Sequence, residues 1–471
     1  IITMLKLDGA QPSFKLHGRV AMTNQGEIKY VVAVIGAGPA GLYASRQLAN
    51  ADVHVVLLNR DIKPGGLAEY GIYPSKIKMK VGLRRQFGQI LETPGIEYYG
   101  NVSIAQEGDF SLQELREMGF QAVLVTVGAQ GTKWLGLPGE ELTGVYHAKD
   151  LVYHYNKLPP YSEQKFDIGK RVALIGVGNV MLDIAHWLVR DLKVDEVTAI
   201  ARRGPAEVKF SKKEMEIVAR NLDLQDLDAE FERVAPVMRS VGQDEAEAKA
   251  FILSTLPKAL EPVSDTRFCL EFLASPSRIL GGERGIVRGL EVEDTTLVPS
   301  NGSTKARRLG TTRVLDVDTV IFCIGDRVDE TFGLPVKWNE FVKNPTPGFP
   351  VNGLSYEAYD PGEESPIEGV FVAGWSREAS SGLVGVARKD GENGAQAVIE
   401  YLNTLPPSEH PDQILAGFRD RLKRLGKRIV VIEDLERLEE AEKAQAEELK
   451  VEDFKYKSNE EMLAVIERVG G

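Results

Sequence analysis

Two glycine turns and one pair of arginines have the types and spacing that could do chemistry. In "VVAVIGAGPAGLYASRQL", Gly36, Gly38 and Gly41 follow an apolar run and precede a helix-like segment that opens with Pro39. Gly36 permits a tight turn, Gly38 lets a diphosphate come up against the backbone, and Gly41 lets the helix lie close to its strand. The N-terminus of that helix then offers unpaired N–H groups and the positive end of its dipole to phosphate charge. The second turn, "LIGVGNVMLDIA", keeps Gly176 and Gly178 but has Met181 in third place, so its helix is expected to stand slightly farther off. A glycine-rich turn that binds nothing is the ordinary alternative for one such motif. Two in one chain point to two dinucleotides.

The end of each return strand separates the two sites. In "VHVVLLNRD", Asn59 stands where a carboxylate usually accepts two hydrogen bonds from a ribose. Its amide has one oxygen, so Asn59 reads as a weaker ribose ligand, and an acid in its place is expected to tighten the site. The second unit ends in Arg202-Arg203-Gly204-Pro205. A carboxylate there would repel a 2′-phosphate, whereas guanidinium groups hold one by charge-assisted hydrogen bonds. NADP(H) is therefore expected on the second turn.

Such turns need parallel strands to carry them, and from Val31 strand-like and helix-like segments alternate as in a doubly wound α/β sheet. Val31–Ile35 and Val53–Leu58 read as buried strands, and "FQAVLVTVGAQG" as another that ends at Gly128. "KRVALIGV" and "EVTAIARR" repeat the arrangement. An acidic, helix-like stretch from about 221 to 262 precedes the strand-like "TRFCLEFLASPSRIL" and "RGIVRGLEVEDTTLV", and "DTVIFCIGDR" closes the second unit. "IEGVFVAGW" then reads as a strand, with a helix from about Gly391 to Leu402 and a charged, helix-prone arm from Arg419 to Gly471. The division expected is an N-terminal extension over 1–29, a discontinuous first domain of 30–130 with 326–471, and a second domain of 131–325. The opening "IITMLKLDG" lacks an initiating Met, which leaves room for an upstream segment.

With 471 residues the chain exceeds one ordinary core, and its net charge of −12 argues against a generic nucleic-acid binder. No apolar run approaches the roughly 20 residues of a membrane helix, and no secretory pattern opens the chain, so the cytoplasm is expected. Cys269 and Cys323 form no CxxC pair, and the six histidines show no metal-ligand spacing, so no metal is expected. Redox chemistry would have to come from an organic cofactor.

From about Val31 to its C-terminus the chain resembles the adrenodoxin reductase-like ferredoxin–NADP+ reductases. The resemblance rests on "GAGPAGLYASRQL", "PGGLAEYGIYP", "YYGNV", "LPGEELTGVYHA", "GVGNVMLDIA", "ARRGPAEVKFSKKEM", "FVAGW" and "NEEMLAVI". A looser similarity to the small subunit of glutamate synthase lacks that family's cysteine-rich region. The resemblance implies an α/β fold of two Rossmann-like domains, for FAD and NADP, of the adrenodoxin reductase/glutathione reductase type. It implies FAD contacts at Ala40 in the first turn, at Asn59, at Gly66 and Leu67, at Val102, at Gly128 and Trp375, and at Gly382, Leu383 and Val384. For NADP(H) it implies Val177, Gly178, Asn179 and Val180, then Arg202, Arg203 and Glu214, with Gly382 near the nicotinamide. Trp375, Asp183 and Gly382 are the implied catalytic positions.

The implied activity is transfer of a hydride from NADPH to flavin, then of single electrons to a ferredoxin-like iron–sulfur protein or an iron–sulfur subunit. Arg202, Lys209, Lys212, Lys213 and Arg220 form a basic cluster suited to an acidic partner, with a solvated helix face as the equal alternative. Three departures stand out. "PSKIK" replaces an Asp-His pair, which leaves Asp183 without its usual His partner; "GWSREASSG" alters the loop over the flavin; and Asn59 replaces an acid. They keep two other readings open: a flavin subunit of a larger oxidoreductase, and a non-catalytic flavoprotein scaffold.

Overall fold

The computed structural model describes residues 28–379 and 382–469. The extension expected over 1–29 lies outside the described residues apart from Ile28 and Lys29.

Six strands form the first sheet, in the order Glu357–Asp360, Ser365–Val372, Ala122–Val125, Tyr30–Ile35, Val53–Asn59, Ile96–Gly100. All pair in parallel except the edge strand Glu357–Asp360. Val31 to Val34 have no exposed surface, because a central parallel strand is covered on both faces. On one face lie Pro39–Ala49, Ile77–Leu91, Val384–Leu402 and the last two helices; Pro411–Lys423 closes the other through Leu415, Phe418 and Leu422. The helix expected from about Gly391 begins at Val384, since Gly385 is tolerated within a long helix.

The second sheet is wholly parallel, in the order Val145–His147, Thr319–Phe322, Arg171–Ile175, Glu196–Ile200, Arg267–Glu271. Helices Asn179–His186, Leu224–Ser240 and Glu245–Leu253 cover one face. The other packs on an antiparallel sheet of Ala274–Gly281, Val287–Ser300 and Ser303–Leu315. Ser303–Leu315 escapes a pattern-based reading because it is a mostly exposed edge strand. Its arginines pair with acids, Arg308 with Glu293 on the adjacent strand and Arg313 with Glu271 of the parallel sheet, and they discourage further pairing along the edge.

The chain crosses between the sheets twice, and the two crossings lie side by side: Gly131–Thr132 pairs antiparallel with Asp326–Arg327. Among the described residues no helix is long and apolar enough to cross a membrane, and no group of His, Cys, Asp and Glu side chains could hold a metal ion.

Candidate functional site

At the first turn Gly36 is left-handed, with φ +105°, and a Cβ there would meet the Thr126 carbonyl oxygen at 2.6 Å. A Cβ on Gly41 would lie 1.9 Å from the Gly36 oxygen, so the helix touches its own turn. Gly38 is different: a Cβ on it would have no neighbour within 4 Å. It is also the N-cap of Pro39–Ala49 and supplies no side-chain cap, so the first N–H groups of that helix have no cap from it. This arrangement fits a diphosphate. Gly65 donates its N–H to the Ala37 carbonyl (2.7 Å), and a Cβ on Gly66 would come within 3.2 Å of the Gly38 Cα, so Gly66 and Leu67 flank the turn.

Two glycines that sequence reasoning missed press on the same helix. A Cβ on Gly374 would sit 2.7 Å from the Ala40 Cβ, and one on Gly391 would sit 2.2 Å from the Ala40 carbonyl oxygen. The small residues of "GENGAQA" were the available signal for the second.

Asn59 does something other than the role expected of it. It is 7% exposed, and its Oδ1 accepts a hydrogen bond from the Ala37 N–H (3.1 Å) while Nδ2 donates to the carbonyls of Asp61 (2.8 Å) and Lys63 (3.0 Å). Its backbone carbonyl accepts from the Val102 N–H (2.9 Å). The amide therefore ties the turn to the loop after the strand, and its donors are spent on backbone. An acid cannot make those donations. Asn59→Asp is expected to cost about 3 kcal/mol and to loosen the nucleotide site, because two buried carbonyls lose their donors. Thermal melts with FAD-release measurements check this; tighter retention would restore the ribose role.

The second turn repeats the first. Gly176 has φ +121°, with a Cβ position 2.5 Å from the Cys323 carbonyl oxygen, and Gly178 again faces open space at an uncapped helix start. Met181 has no exposed surface and fills the second core, where its bulk is accommodated. The Val177 carbonyl accepts from the Lys209 N–H (2.9 Å) and the Asn179 Oδ1 from the Ser211 N–H (2.8 Å). These bonds bring the loop that follows the arginine pair against the turn, beside the partly exposed Val180. Arg202 is exposed and its guanidinium has no carboxylate partner among the described residues; Arg203 makes a loose pair with Glu207 (3.4 Å). Lys209, Lys212, Lys213 and Arg220 are exposed on the same stretch.

Glu214 is engaged elsewhere than with the arginines. Both of its oxygens accept from Lys76 Nζ (2.8 and 2.7 Å), an ion pair that joins the two sheets' units. Lys76 lies in "YPSKIK", and Tyr73 of the same segment stacks on His186 (3.8 Å between ring centres) and donates to Asp191 (2.6 Å). Asp183, half-buried, faces this group. Burial pushes its carboxyl up to about 7, with Lys76 opposing the shift and Glu214 adding to it. His186, one helical turn on, is held down to about 4 by burial, so it is neutral near pH 7. The Lys76 ammonium, held by Glu214, acts on Asp183 through space by opposing the effect of burial.

Trp375 is half-buried in the turn Gly374–Ser376, and the Ser376 hydroxyl accepts from the Gly128 N–H (2.9 Å). Beyond it the left-handed Gly382 (φ +74°) and the 75% exposed Leu383 lead into the helix that starts at Val384. Arg377, in the altered loop, is clamped by Asp390, which also accepts from the Gly374 N–H (2.6 Å). Arg377 is thereby tied to helix Val384–Leu402.

A sequence model of the pyridine nucleotide-disulphide oxidoreductase family matches residues 30–248. The NADPH-ferredoxin reductase FprA of Mycobacterium tuberculosis is 27% identical to this chain, across 84% of it and 91% of that protein. The mitochondrial NADPH:adrenodoxin oxidoreductase of Arabidopsis thaliana is 28% identical, across 75% of this chain and 78% of its own. The solved structure of Mycobacterium tuberculosis FprA in complex with NADPH matches with a TM-score of 0.76 at 25% identity, covering 93% of this chain and 99% of that one.

Proposed function

We propose that the chain is an adrenodoxin reductase-like, FAD-dependent ferredoxin–NADP reductase that moves electrons between NADP(H) and a ferredoxin-type iron–sulfur protein, a reading supported by its similarity to the NADPH-ferredoxin and NADPH:adrenodoxin reductases. The observation that carries the reading is the exposed Arg202, whose guanidinium has no carboxylate partner among the described residues, with Arg203 beside a second open glycine turn. Residues 30–130 with 326–471 form the FAD-binding domain in this reading, and 131–325 the NADP(H)-binding domain.

Gly36, Gly38 and Gly41, with Gly66 and Leu67, hold the flavin nucleotide's diphosphate; Val102 lines its adenine end. Gly128, Trp375, Gly382, Leu383 and Val384 wall the ring end. Val177 to Val180 hold the second diphosphate, and Arg202 and Arg203 take the 2′-phosphate. Bound FAD would supply the conversion between two-electron and one-electron transfer. The chain contributes orientation, exclusion of water and a proton near neutrality on the Asp183 carboxyl. The basic stretch from Arg202 to Arg220 suits an acidic partner. Both cysteines are buried and unpaired, which fits a reducing compartment such as the cytoplasm.

Anaerobic NADPH titration tests the reading. The bound flavin is expected to bleach with NADPH much faster than with NADH, and the bleached protein to reduce an added ferredoxin. A flavin that stays oxidised under NADPH would end the proposal. Bleaching with no onward transfer to any ferredoxin would end its iron–sulfur half.

A further inference from the structure

The C-terminal arm is rooted twice in the first unit. Helix Ile432–Leu449 buries Leu435 and Leu438 in that core, and the final helix, from Asn459, buries Met462 and Ile466 there. Between them runs "KVEDFKYKS", starting at the left-handed Lys450 and ending at Ser458, which caps the final helix by accepting from the Glu461 N–H (3.1 Å). Two helices rooted in one core need no excursion to join them. This segment nevertheless reaches the other unit.

It does so at three points. The Lys457 carbonyl accepts from the Ser162 hydroxyl, and the Lys157 ammonium lies over the Phe454 ring (5.3 Å). Lys455, 5% exposed, makes the third and central contact. Its Nζ has three acceptors: Glu69 Oε1 (2.7 Å) and the Glu69 carbonyl (2.9 Å) in the first unit, and the Asn156 carbonyl (3.3 Å) in the second. All three ammonium hydrogens are thereby used. Asn156 ends helix Ala148–Tyr155, and its Oδ1 accepts from Lys80 Nζ of the first unit (2.5 Å).

Glu69 lies two residues beyond Leu67, in the short helix whose N-cap Gly66 abuts the first turn. It is also gripped by Arg84 through both oxygens (2.7 Å each), and Arg84 in turn holds Asp453 of the arm (2.8 Å). Burial alone would raise the Glu69 carboxyl, but Lys455, Lys63 and Arg84 together hold it well below the usual carboxylate range. The junction is a charged, hydrogen-bonded network beside the apolar seam of Tyr70, Tyr153 and Leu158.

We infer that residues 451–458 are a strap that fixes the angle between the two dinucleotide-binding units, with Lys455 as its positioning residue. The inference rests on the proposed function for its kinetic consequence only. Transfer between two bound dinucleotides depends steeply on their separation, so a loosened angle lowers the transfer rate while leaving each nucleotide's own turn intact.

The test uses Lys455→Met in the full-length, flavin-loaded protein. Glu69 keeps Arg84 and Lys63 in that variant, so no buried charge is stranded. Cysteines at the exposed Glu92 and Glu232, one on each unit, take spin labels selectively because Cys269 and Cys323 are buried. The expected result is a broadened interspin distance distribution, about tenfold slower flavin bleaching at saturating NADPH, and a calorimetric NADP+ dissociation constant within about twofold of wild type. An unchanged distance distribution overturns the strap. Should Lys455→Met fail to fold, the Ser162→Ala/Phe454→Ala double variant cuts the two outer contacts and is held to the same outcomes. The distance measurement needs no turnover, so failure of wild-type flavin to bleach would strike the proposed function and leave the strap to be judged on distance alone.

Discussion

Replacing Arg202 and Arg203 together by alanine is expected to raise the KM for NADPH about a hundredfold and to leave that for NADH within about twofold. A hydrogen bond to a charged group is worth about 1.5–3 kcal/mol, and exposure to solvent and salt puts this pair near the lower end. Two such bonds give about 3 kcal/mol, or roughly a hundredfold. The kcat should change little, because a grip on the 2′-phosphate holds ground state and transition state alike. Arg202→Ala should account for more of the loss than Arg203→Ala, since Arg203 already shares its charge with Glu207 while Arg202 has no carboxylate partner among the described residues. Steady-state kinetics with both nucleotides decides it. Equal losses for NADPH and NADH would remove the 2′-phosphate argument.

Gly391→Ala is expected to be strongly damaging to the first unit. Helix Val384–Leu402 crosses Pro39–Ala49 so closely that the new Cβ would lie 2.2 Å from the Ala40 carbonyl oxygen and 2.7 Å from its Cα. Backbone cannot swing aside as a side chain can, so one helix must move, at a cost of about 3 kcal/mol or more. That helix carries the first glycine turn, and FAD should leave the variant more readily. Gly385→Ala on the same crossing helix is the control. A Cβ at that position meets nothing within 4 Å, and the variant is expected to be neutral or to gain about 0.5–1 kcal/mol from helix propensity. The melting curve of Gly391→Ala should fall while that of Gly385→Ala holds or rises. A fall of equal size in both would mean that the close crossing is not what Gly391 serves.

What could be read ahead of the structure follows a physical divide. The two turns, their strands and the arginine pair announce themselves because their chemistry is local: glycine spacing, an apolar run and a residue type at a set offset. The role of Asn59 was hidden because it is settled by donors and acceptors, the Ala37 N–H and the carbonyls of Asp61 and Lys63, which only the folded loop brings together. Lys76 was visible only as an absence of histidine, since its partner Glu214 lies in the other unit. Ser303–Leu315 has the basic, polar composition of a loop and becomes a strand because a long neighbour, Val287–Ser300, offers it an edge. The strap around Lys455 was read as part of a charged, packed arm; nothing local distinguishes a lysine that joins two domains from one in solvent.

The paired crossings at Gly131–Thr132 and Asp326–Arg327 also bear on the order of assembly. The strands of the second sheet all lie between Val145 and Phe322, so that sheet can close as soon as this stretch of chain exists. The first sheet begins earlier and finishes later, for it waits on Ser365–Val372, and its glycine turn waits further on Gly391 to back Ala40. During synthesis the N-terminal strands must therefore stay unpaired on one side, with Ala122–Val125 as an apolar open edge, until nearly the whole protein has emerged. That edge is where a chaperone would be needed, and where a truncated chain would aggregate.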